Sequence, residues 1–261
     1  MLASVGPHPR WVWAACGKHP VSSDFLKVGQ EFPLIRGFGD WIENGYKRVA
    51  TTQRPGCTPR SWRFWARGLR KGFLACGLVR DSSDSLGRPY PLLVIGTGPL
   101  NEWEQRWELL PFACDRTWDG IEYISARNPK DLKMFERDIE RIKPPNPDWS
   151  AFAEGIRFAR ERWTGSDCDA TSWSLTELQR ESSEFAVKPE SLLSMDAMPV
   201  DERLPLIGIW HSLFKSQGKD IPSAAFMGGT FERICLAFFK RPLIPNDFVR
   251  LWNLVSVDTG K

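Results

Sequence analysis

The sequence predicts an α/β protein, a three-layer sandwich in which a mixed central sheet carries helices on both faces. Short apolar strands alternate with amphipathic helices along the chain, which is the pattern of a sheet covered by helices. Of the 261 residues, 42% are hydrophobic and 26% are charged, so the chain can build a large core. The length suits a single domain, and we expect residues 1–261 to form one unit.

The N-terminal part of the chain predicts four strands and one helix. Residues 10–16, RWVWAAC, form an apolar and aromatic segment typical of a buried first strand. Residues 31–49 place apolar side chains every third or fourth position, which predicts an amphipathic helix. Three further strands follow at intervals too short for a parallel crossover, so we expect them to be antiparallel neighbours: residues 61–67, 73–79 and 90–95.

Helices dominate the middle of the chain. Asn101 and Glu104 have the spacing of a capping box, which predicts a helix over residues 101–110. Asn128 followed by Pro129 predicts the start of another helix that carries Leu132, Phe135, Ile139 and Ile142 on one stripe. The remaining helices are predicted over residues 112–127, 151–163 and 175–185, with a polar loop over residues 165–174.

The C-terminal part returns to strands. Residues 144–149, PPNPDW, stop the preceding helix and are a possible internal linker. Residues 204–215 fit either a helix or a broken strand. Two strands are predicted at residues 223–227 and 234–239, before a closing helix at 246–255. Because a two-stranded element is marginal alone, we expect residues 220–255 to pack on the first sheet.

Composition argues against several classes of function. The net charge of +3 is too small and too scattered to indicate a nucleic-acid-binding protein. No apolar run approaches the ~20 residues of a membrane span, and the first residues lack a signal-peptide pattern. The six cysteines are spread out with no CxxC pair, as expected for free thiols in a reducing cytoplasm. We therefore expect a cytoplasmic protein without a bound metal or cofactor.

The sequence GTGPL at residues 96–100 raises the question of a phosphate site. A dinucleotide fingerprint requires a third glycine, where this chain has Asn101, and Pro99 removes a backbone N–H donor. The Walker pattern also fails at Gly17-Lys18, because His19 stands where serine or threonine would hold the magnesium ion. Neither glycine segment therefore predicts a nucleotide site.

Catalytic chemistry has little support from the remaining residue types. His8, His19 and His211 are the only imidazoles, and the apolar segment IWHSLF predicts a hydrogen-bonded core position for His211. Cys16 and His19 could form half of a metal site, but no second pair has ligand spacing. The one arrangement that merits a chemical test is His19 with Asp24 and Asp84, which could meet if their two loops do.

Two motifs nevertheless resemble a known family. The first is a Gly-Lys-x-Pro…Asp-Phe loop after the first strand, with Ser23 where glycine is usual; its matching residues are Gly17, Lys18, Pro20, Asp24 and Phe25. The second is Asp-x-x-Gly-Arg-x-Tyr-Pro-Leu, carried by Asp84, Gly87, Arg88, Tyr90, Pro91 and Leu92. With these motifs the chain resembles the type VI secretion system-associated TagF (ImpM) proteins, best over residues 11–126 and more loosely over 220–255.

The resemblance implies a three-layer α/β sandwich and a function by binding. It implies a non-catalytic, post-translational repressor of type VI secretion that associates with the forkhead-associated scaffold protein of the system. Two other classes stay open from the residues themselves. One is a ligand-binding or enzymatic α/β domain that uses the loops at Lys18, Asp24 and Arg88. The other is a structural component of the secretion apparatus.

The second motif also has a local physical interpretation. Asp84 can cap the turn with its side chain, and Gly87 can take a positive φ. The Arg88 guanidinium could form a fork with a carboxylate, and Asp24 is the candidate. The motif residues either serve only as turn formers for the sheet or also form part of a partner-binding surface.

Overall fold

The computed structural model describes residues 10–49, 58–165, 180, 183–184, 187–195, 203–218 and 220–253. These residues form eight strands: β1 (Val12–Gly17), β2 (Leu26–Gly29), β3 (Ser61–Arg67), β4 (Phe73–Arg80), β5 (Leu92–Pro99), β6 (Glu190–Ser194), β7 (Ala224–Gly229) and β8 (Ile234–Phe239). They also form six α-helices: α1 (Pro33–Val49), α2 (Leu110–Ala126), α3 (Leu132–Glu140), α4 (Trp149–Gly165), α5 (Arg203–Gln217) and α6 (Pro245–Asn253).

All eight described strands belong to one sheet, in the order β2-β1-β5-β4-β3-β7-β8-β6. The predicted α/β sandwich with helices on both faces is confirmed, with one correction. Each neighbouring pair of described strands is antiparallel, so the sheet is not mixed. Short hairpins impose this direction on β3, β4 and β5. Some of the other strands are joined by long connections that contain helices, which allow either parallel or antiparallel pairing. The sequence does not show which of the two directions these strands take.

Alternating side chains on the strands build a core on each face of the sheet. On β3, Trp62 and Phe64 face α1 and α6, while Trp65 faces the other four helices. Several of the largest side chains are almost completely buried between these layers, namely Trp62, Trp65, Trp103, Trp118, Trp210 and Trp252. These six indole rings therefore form a large part of the core.

The C-terminal strands extend the N-terminal part of the sheet. β7 pairs with β3 from Ala66↔Ala224 to Ser61↔Gly229, and β8 continues beyond β7. Residues 144–149 lie against the helical layer: the Asn146 amide donates to Ala113 O at 3.0 Å, and the Trp149 indole donates to Asn101 O at 3.0 Å.

Both edge strands were missed by the sequence prediction. β2 and β6 are only four and five residues long and lie in segments with many polar residues, so neither shows the extended apolar run of a central strand. The segment at residues 204–215, which fits two structures by its sequence, is part of α5. The predicted loop at 165–174 and helix at 175–185 lie almost entirely outside the described residues.

Two helix starts differ from the prediction. Residues 101–106 form turns rather than a helix, and a short 3-10 segment at Trp107–Leu109 leads into α2. The Glu104 carboxylate accepts a hydrogen bond from the Gly72 amide at 3.1 Å, so it is occupied by a neighbouring turn. Helix α3 begins after Asp131, whose side chain accepts from the Met134 amide at 2.8 Å, rather than at Asn128.

No helix within the described residues combines the length and the apolar character that crossing a membrane requires.

Candidate functional site

The two motifs fold into loops that lie against each other at one end of the sheet. Loop 1 (residues 17–25) follows β1, and loop 2 (residues 81–91) precedes β5, which is the direct neighbour of β1. The Ser85 amide of loop 2 donates to Ser22 O of loop 1 at 2.9 Å. Their proximity follows from the strand order, because the end of β1 and the start of β5 meet at the same edge of the sheet.

Glycine is required where loop 1 leaves β1. Gly17 has φ +124°, and a Cβ at this position would lie 2.1 Å from Pro91 O of loop 2. Any other residue would force the two loops apart. In loop 2, Gly87 has the predicted positive φ, at +77°, but a Cβ there would meet open space. Gly17 therefore serves close packing, and Gly87 serves the turn itself.

The centre of the site is the carboxylate of Asp84, whose side chain is fully buried. Its Oδ1 accepts hydrogen bonds from the amides of Leu86 at 3.1 Å and Arg88 at 2.9 Å, which is the predicted cap of the turn. Its Oδ2 accepts from Arg88 Nε at 2.7 Å and lies 3.0 Å from Lys18 Nζ. Asp84 thus joins loop 1 to loop 2 with both oxygens occupied.

This environment controls the ionisation of Asp84. Burial raises the pKa of the carboxyl group, but the hydrogen bonds from the Arg88 amide, the Lys18 ammonium and the Arg88 guanidinium lower it by more. The balance holds the pKa of Asp84 well below its usual value. The carboxylate is therefore ionised throughout the physiological range, with both of its oxygens occupied by partners from the two loops.

Arg88 completes the connection between the loops. The predicted fork to Asp24 is corrected in part: the principal carboxylate partner is Asp84, while Arg88 Nη2 donates to Ser23 O at 2.6 Å and lies 3.6 Å from Asp24 Oδ1. Asp24 is mostly exposed, and its side chain accepts from the Phe25 amide at 2.7 Å. Arg88 therefore binds both loops, and Asp24 is a secondary partner at the rim.

The remaining motif residues shape the loops and the strand that follows them. Pro20 occupies the second position of a turn closed by the Ser22 amide donating to His19 O at 3.0 Å. Pro91 precedes the fully buried Leu92, which begins β5. Phe25 and Tyr90, one from each loop, make an edge-to-face contact with ring centroids 5.4 Å apart.

The suggested grouping of His19 with Asp24 and Asp84 is wrong. The fully buried His19 ring stacks on Phe135 of α3 at 4.5 Å between centroids, and its Nδ1 accepts from the Val21 amide at 3.2 Å. Burial lowers the pKa of His19 by more than the carbonyl groups of Ser125 and Arg127 raise it. The imidazole is therefore neutral and packed under α3, while the polar atoms of Asp84 bind Lys18 and Arg88.

Cys16 and His211 also lie in apolar surroundings. Burial raises the pKa of the Cys16 thiol to about 11, so the thiol stays protonated. His211 accepts from the Trp65 indole at 3.1 Å and donates from Nδ1 to Ile207 O at 2.7 Å, and burial lowers its pKa to about 3. The prediction of a core imidazole is confirmed for His211; His8 lies outside the described residues. Within the described ranges, no group of three potential metal ligands comes together.

The glycines of GTGPL have a structural explanation. They lie inside β5 rather than after it, since the strand extends to Pro99. A Cβ at Gly96 would lie 2.3 Å from the Trp13 ring, and a Cβ at Gly98 would lie 2.5 Å from the Trp11 ring. The two glycines therefore make room for the indole rings of Trp13, on β1, and of Trp11, which directly precedes β1.

A cleft of about 360 Å³ opens beside the loops, between β1–β2 and α1. Its floor comes from the small residues Ala14, Cys16 and Gly39, which leave space where helix and sheet would otherwise touch. Phe25 and Tyr90 stand at one end, and charged residues line the walls, namely Lys27, Glu31, Arg36, Asp40 and Glu43. This cleft was not predicted, because β2 was not predicted. Gly39, one of three glycines within α1, is the sequence signal that could have indicated it.

Comparisons with known proteins give a family-model match and a similar solved structure. Residues 14–142 match the model of a TagF N-terminal domain, described as type VI secretion system-associated. No curated protein is a significant match to the chain. Among solved structures, the crystal structure of PA0076 from Pseudomonas aeruginosa PAO1 is similar, with a TM-score of 0.50 and 17% sequence identity over 92% of this chain and 93% of the other. That similarity supports the fold.

Proposed function

Because residues 14–142 match the TagF N-terminal domain, which is described as type VI secretion system-associated, we propose that the protein is a non-catalytic repressor of that system. It works in the cytoplasm by binding the forkhead-associated scaffold protein of the secretion apparatus. The family match supports a role in type VI secretion. The repressive mechanism and the identity of the partner are the proposal.

The observation that favours binding over chemistry is the internal neutralisation of the motif charges. Lys18 and Arg88 both contact Asp84, and the formal charges of these residues and Asp24 sum to zero. The charged groups are thus used to hold two loops together. Rigid loops are a suitable platform for recognition, because less conformational freedom is lost when a partner binds.

The same loops present apolar side chains to solvent. Leu86, at the tip of loop 2, is 67% exposed, and Phe25 of loop 1 is 42% exposed. Apolar and aromatic side chains are common at the centre of protein-binding surfaces, where binding removes them from water. This supports the interpretation that the motifs form part of a partner surface as well as turns.

The alternative of a ligand-binding or enzymatic domain that uses Lys18, Asp24 and Arg88 has less support. A phosphate or nucleotide would have to compete with Asp84 for both cations. If that alternative held, a phosphate compound at about 100 times its Kd would add roughly 2.7 kcal/mol to stability and raise the melting temperature. We expect no shift with inorganic phosphate, nucleotides or divalent metals.

Co-purification with the forkhead-associated scaffold protein of the same system tests the proposal. We expect the two full-length proteins to form a complex at low salt, and deletion of the gene to raise secretion of the tube protein. Absence of a complex between two folded proteins would overturn the proposed mechanism. Presence of this protein itself in assembled secretion particles would instead favour a structural component.

A matched pair of variants tests whether the loops contribute to the partner surface. Leu86→Asp places a charge on loop 2, and Leu69→Asp places one on the distant β3–β4 turn, where Leu69 is 65% exposed. We expect weaker binding for Leu86→Asp alone. Equal binding by both variants would show that loop 2 is not part of the partner-binding surface.

A further inference from the structure

A groove runs between the edge strand β2 and helix α1. Lys27, Val28 and Gly29 of β2 line one side, and residues of α1 line the other, including Gly39 and Asp40. The cleft described above forms this groove. An edge strand that faces a helix across an open cleft is an arrangement in which proteins bind extended peptides.

Within the described part of the chain, the outer edge of β2 has no strand partner. β2 stands first in the strand order and pairs with β1 alone, from Ala14↔Gly29 to Gly17↔Leu26. Among the described residues, no backbone hydrogen bond to β2 comes from its other side. Leu26 and Val28 are buried against the core on the α3 side, which holds the strand in place.

The walls of the groove have a definite chemical character. The floor is apolar and made of small side chains, so it suits a large apolar side chain of a ligand. On the α1 wall, Glu43 is paired with Lys47 at 2.6 Å. Glu31, also in the lining, is paired with Arg36 at 3.3 Å. Asp40 is exposed and has no ion pair among the described contacts, so it remains available to a cation.

The motif loops set the end of the groove. Phe25 and Tyr90 contact each other there, and Tyr90 also contacts Tyr46 of α1 with centroids 5.1 Å apart. The Lys18–Asp84–Arg88 cluster fixes the loops that carry Phe25 and Tyr90. This links the two sequence motifs to the groove by direct contacts.

We propose that this groove binds an extended segment of the protein partner, which adds a strand to the free edge of β2. The segment places a large apolar side chain in the cleft over Gly39 and a basic side chain against Asp40. This inference rests on the proposed function, since it names the surface through which the partner is bound. The short length of β2 and the presence of Lys27 discourage non-specific pairing, so a matching segment is required.

Two glycines of α1 provide a matched test. Gly39 lines the cleft, and a Cβ there would lie in ordinary contact with Cys16 Sγ at 3.8 Å, so the first side-chain carbon is tolerated and the rest of the side chain of Gly39→Leu occupies space in the cleft. At Gly37 a Cβ would meet nothing within 4 Å, so Gly37→Leu is the control. Both changes replace a helical glycine and improve helix propensity, so both variants are expected to fold.

The measurement is the affinity of the full-length wild type and both variants for the full-length forkhead-associated scaffold protein, with thermal melting as the check of folding. We expect Gly39→Leu to weaken binding at least about tenfold and Gly37→Leu to bind like wild type. Equal binding by wild type and Gly39→Leu would refute the groove as the binding site, while the proposed function would stand. Equal loss in both variants also overturns it, because the effect would not be specific to the cleft. If the wild type itself does not bind, the proposed function fails and the groove assignment fails with it.

Two further readouts separate strand addition from simple filling of the cleft. Amide hydrogen exchange of β2 should slow in the complex, since newly paired N–H groups are protected. Unchanged exchange at β2 would contradict an added strand. Asp40→Lys should weaken binding, whereas the control Glu140→Lys, at an exposed position on α3, should not. Equal affinities of the two variants would show that the ligand has no basic side chain in contact with Asp40.

Discussion

At the scale of single residues, the fold near the motifs depends on one buried carboxylate. Asp84 was predicted to cap its own turn, and it does so through the amides of Leu86 and Arg88. Its second role, the contact with Lys18, joins residues on separate loops. A buried carboxylate is tolerated here because every contact that surrounds it favours the charged form.

The first prediction concerns Asp84→Asn. The pKa of Asp84 is lowered in the folded protein relative to its usual value of 3.8, so its charge stabilises the fold above that pH. This contribution is lost as the pH falls through the folded-state pKa. We expect Asp84→Asn to be less stable than wild type at about pH 7, and the difference to shrink as the pH falls below about 4. Urea denaturation across this range measures it, and a difference independent of pH would contradict the role of the charge.

At the scale of elements, the strongest patterns were predicted well and the termini less well. β3 begins and ends where its alternation of large apolar residues predicts, because both faces of that strand are buried. The start of α3 was misplaced because Asn128-Pro129 and Asp131 are both acceptable local starts. Packing determines which residue begins the helix, because Phe135 and Ile139 must both face the core.

The second prediction tests that helix start. Asp131→Ala removes the acceptor of the Met134 amide and should cost about 1 kcal/mol of unfolding free energy. Asn128→Ala, at the start predicted from the sequence, is the control and should change stability by less than about 0.5 kcal/mol. Chemical denaturation measures both. A larger loss for Asn128→Ala would show that the helix begins earlier than the structure indicates.

At the scale of the whole molecule, the two ends of the chain share one sheet. β7 completes β3, and α6 packs on the same face as α1. The TagF N-terminal match ends at residue 142, so it contains β3 but neither of these C-terminal partners. Without β7, β3 would become an edge strand with unpaired backbone groups, and its buried aromatic side chains would lose part of their cover.

The third prediction follows from this shared sheet. We expect the full chain to unfold in one cooperative transition, with indole fluorescence and far-ultraviolet circular dichroism giving the same midpoint. A fragment of residues 1–142 should be insoluble or bind hydrophobic dyes, because it lacks the cover of β7, β8 and α6. Two separate transitions, or a soluble and cooperatively folded fragment, would show instead that the N-terminal part is an independent domain.

The sequence by itself determined the central strands, most helices and the two motif turns. Those features depend on local periodicity and on turn residues such as Gly87. The turn requires a positive φ at Gly87, and a few neighbouring residues are enough to specify that turn. It also excluded the phosphate site at GTGPL, and the structure explains those glycines through the Trp11 and Trp13 rings.

Only the tertiary structure decided where the candidate site lies and which residues form it. The pairing of β1 with β5 brings the two loops together, and no local pattern encodes which distant strands become neighbours. The same pairing directs Asp84 to Lys18 and leaves His19 packed under α3. The groove exists because a short edge strand faces Gly39 across small side chains, an arrangement that depends on packing between elements rather than on the sequence of either one.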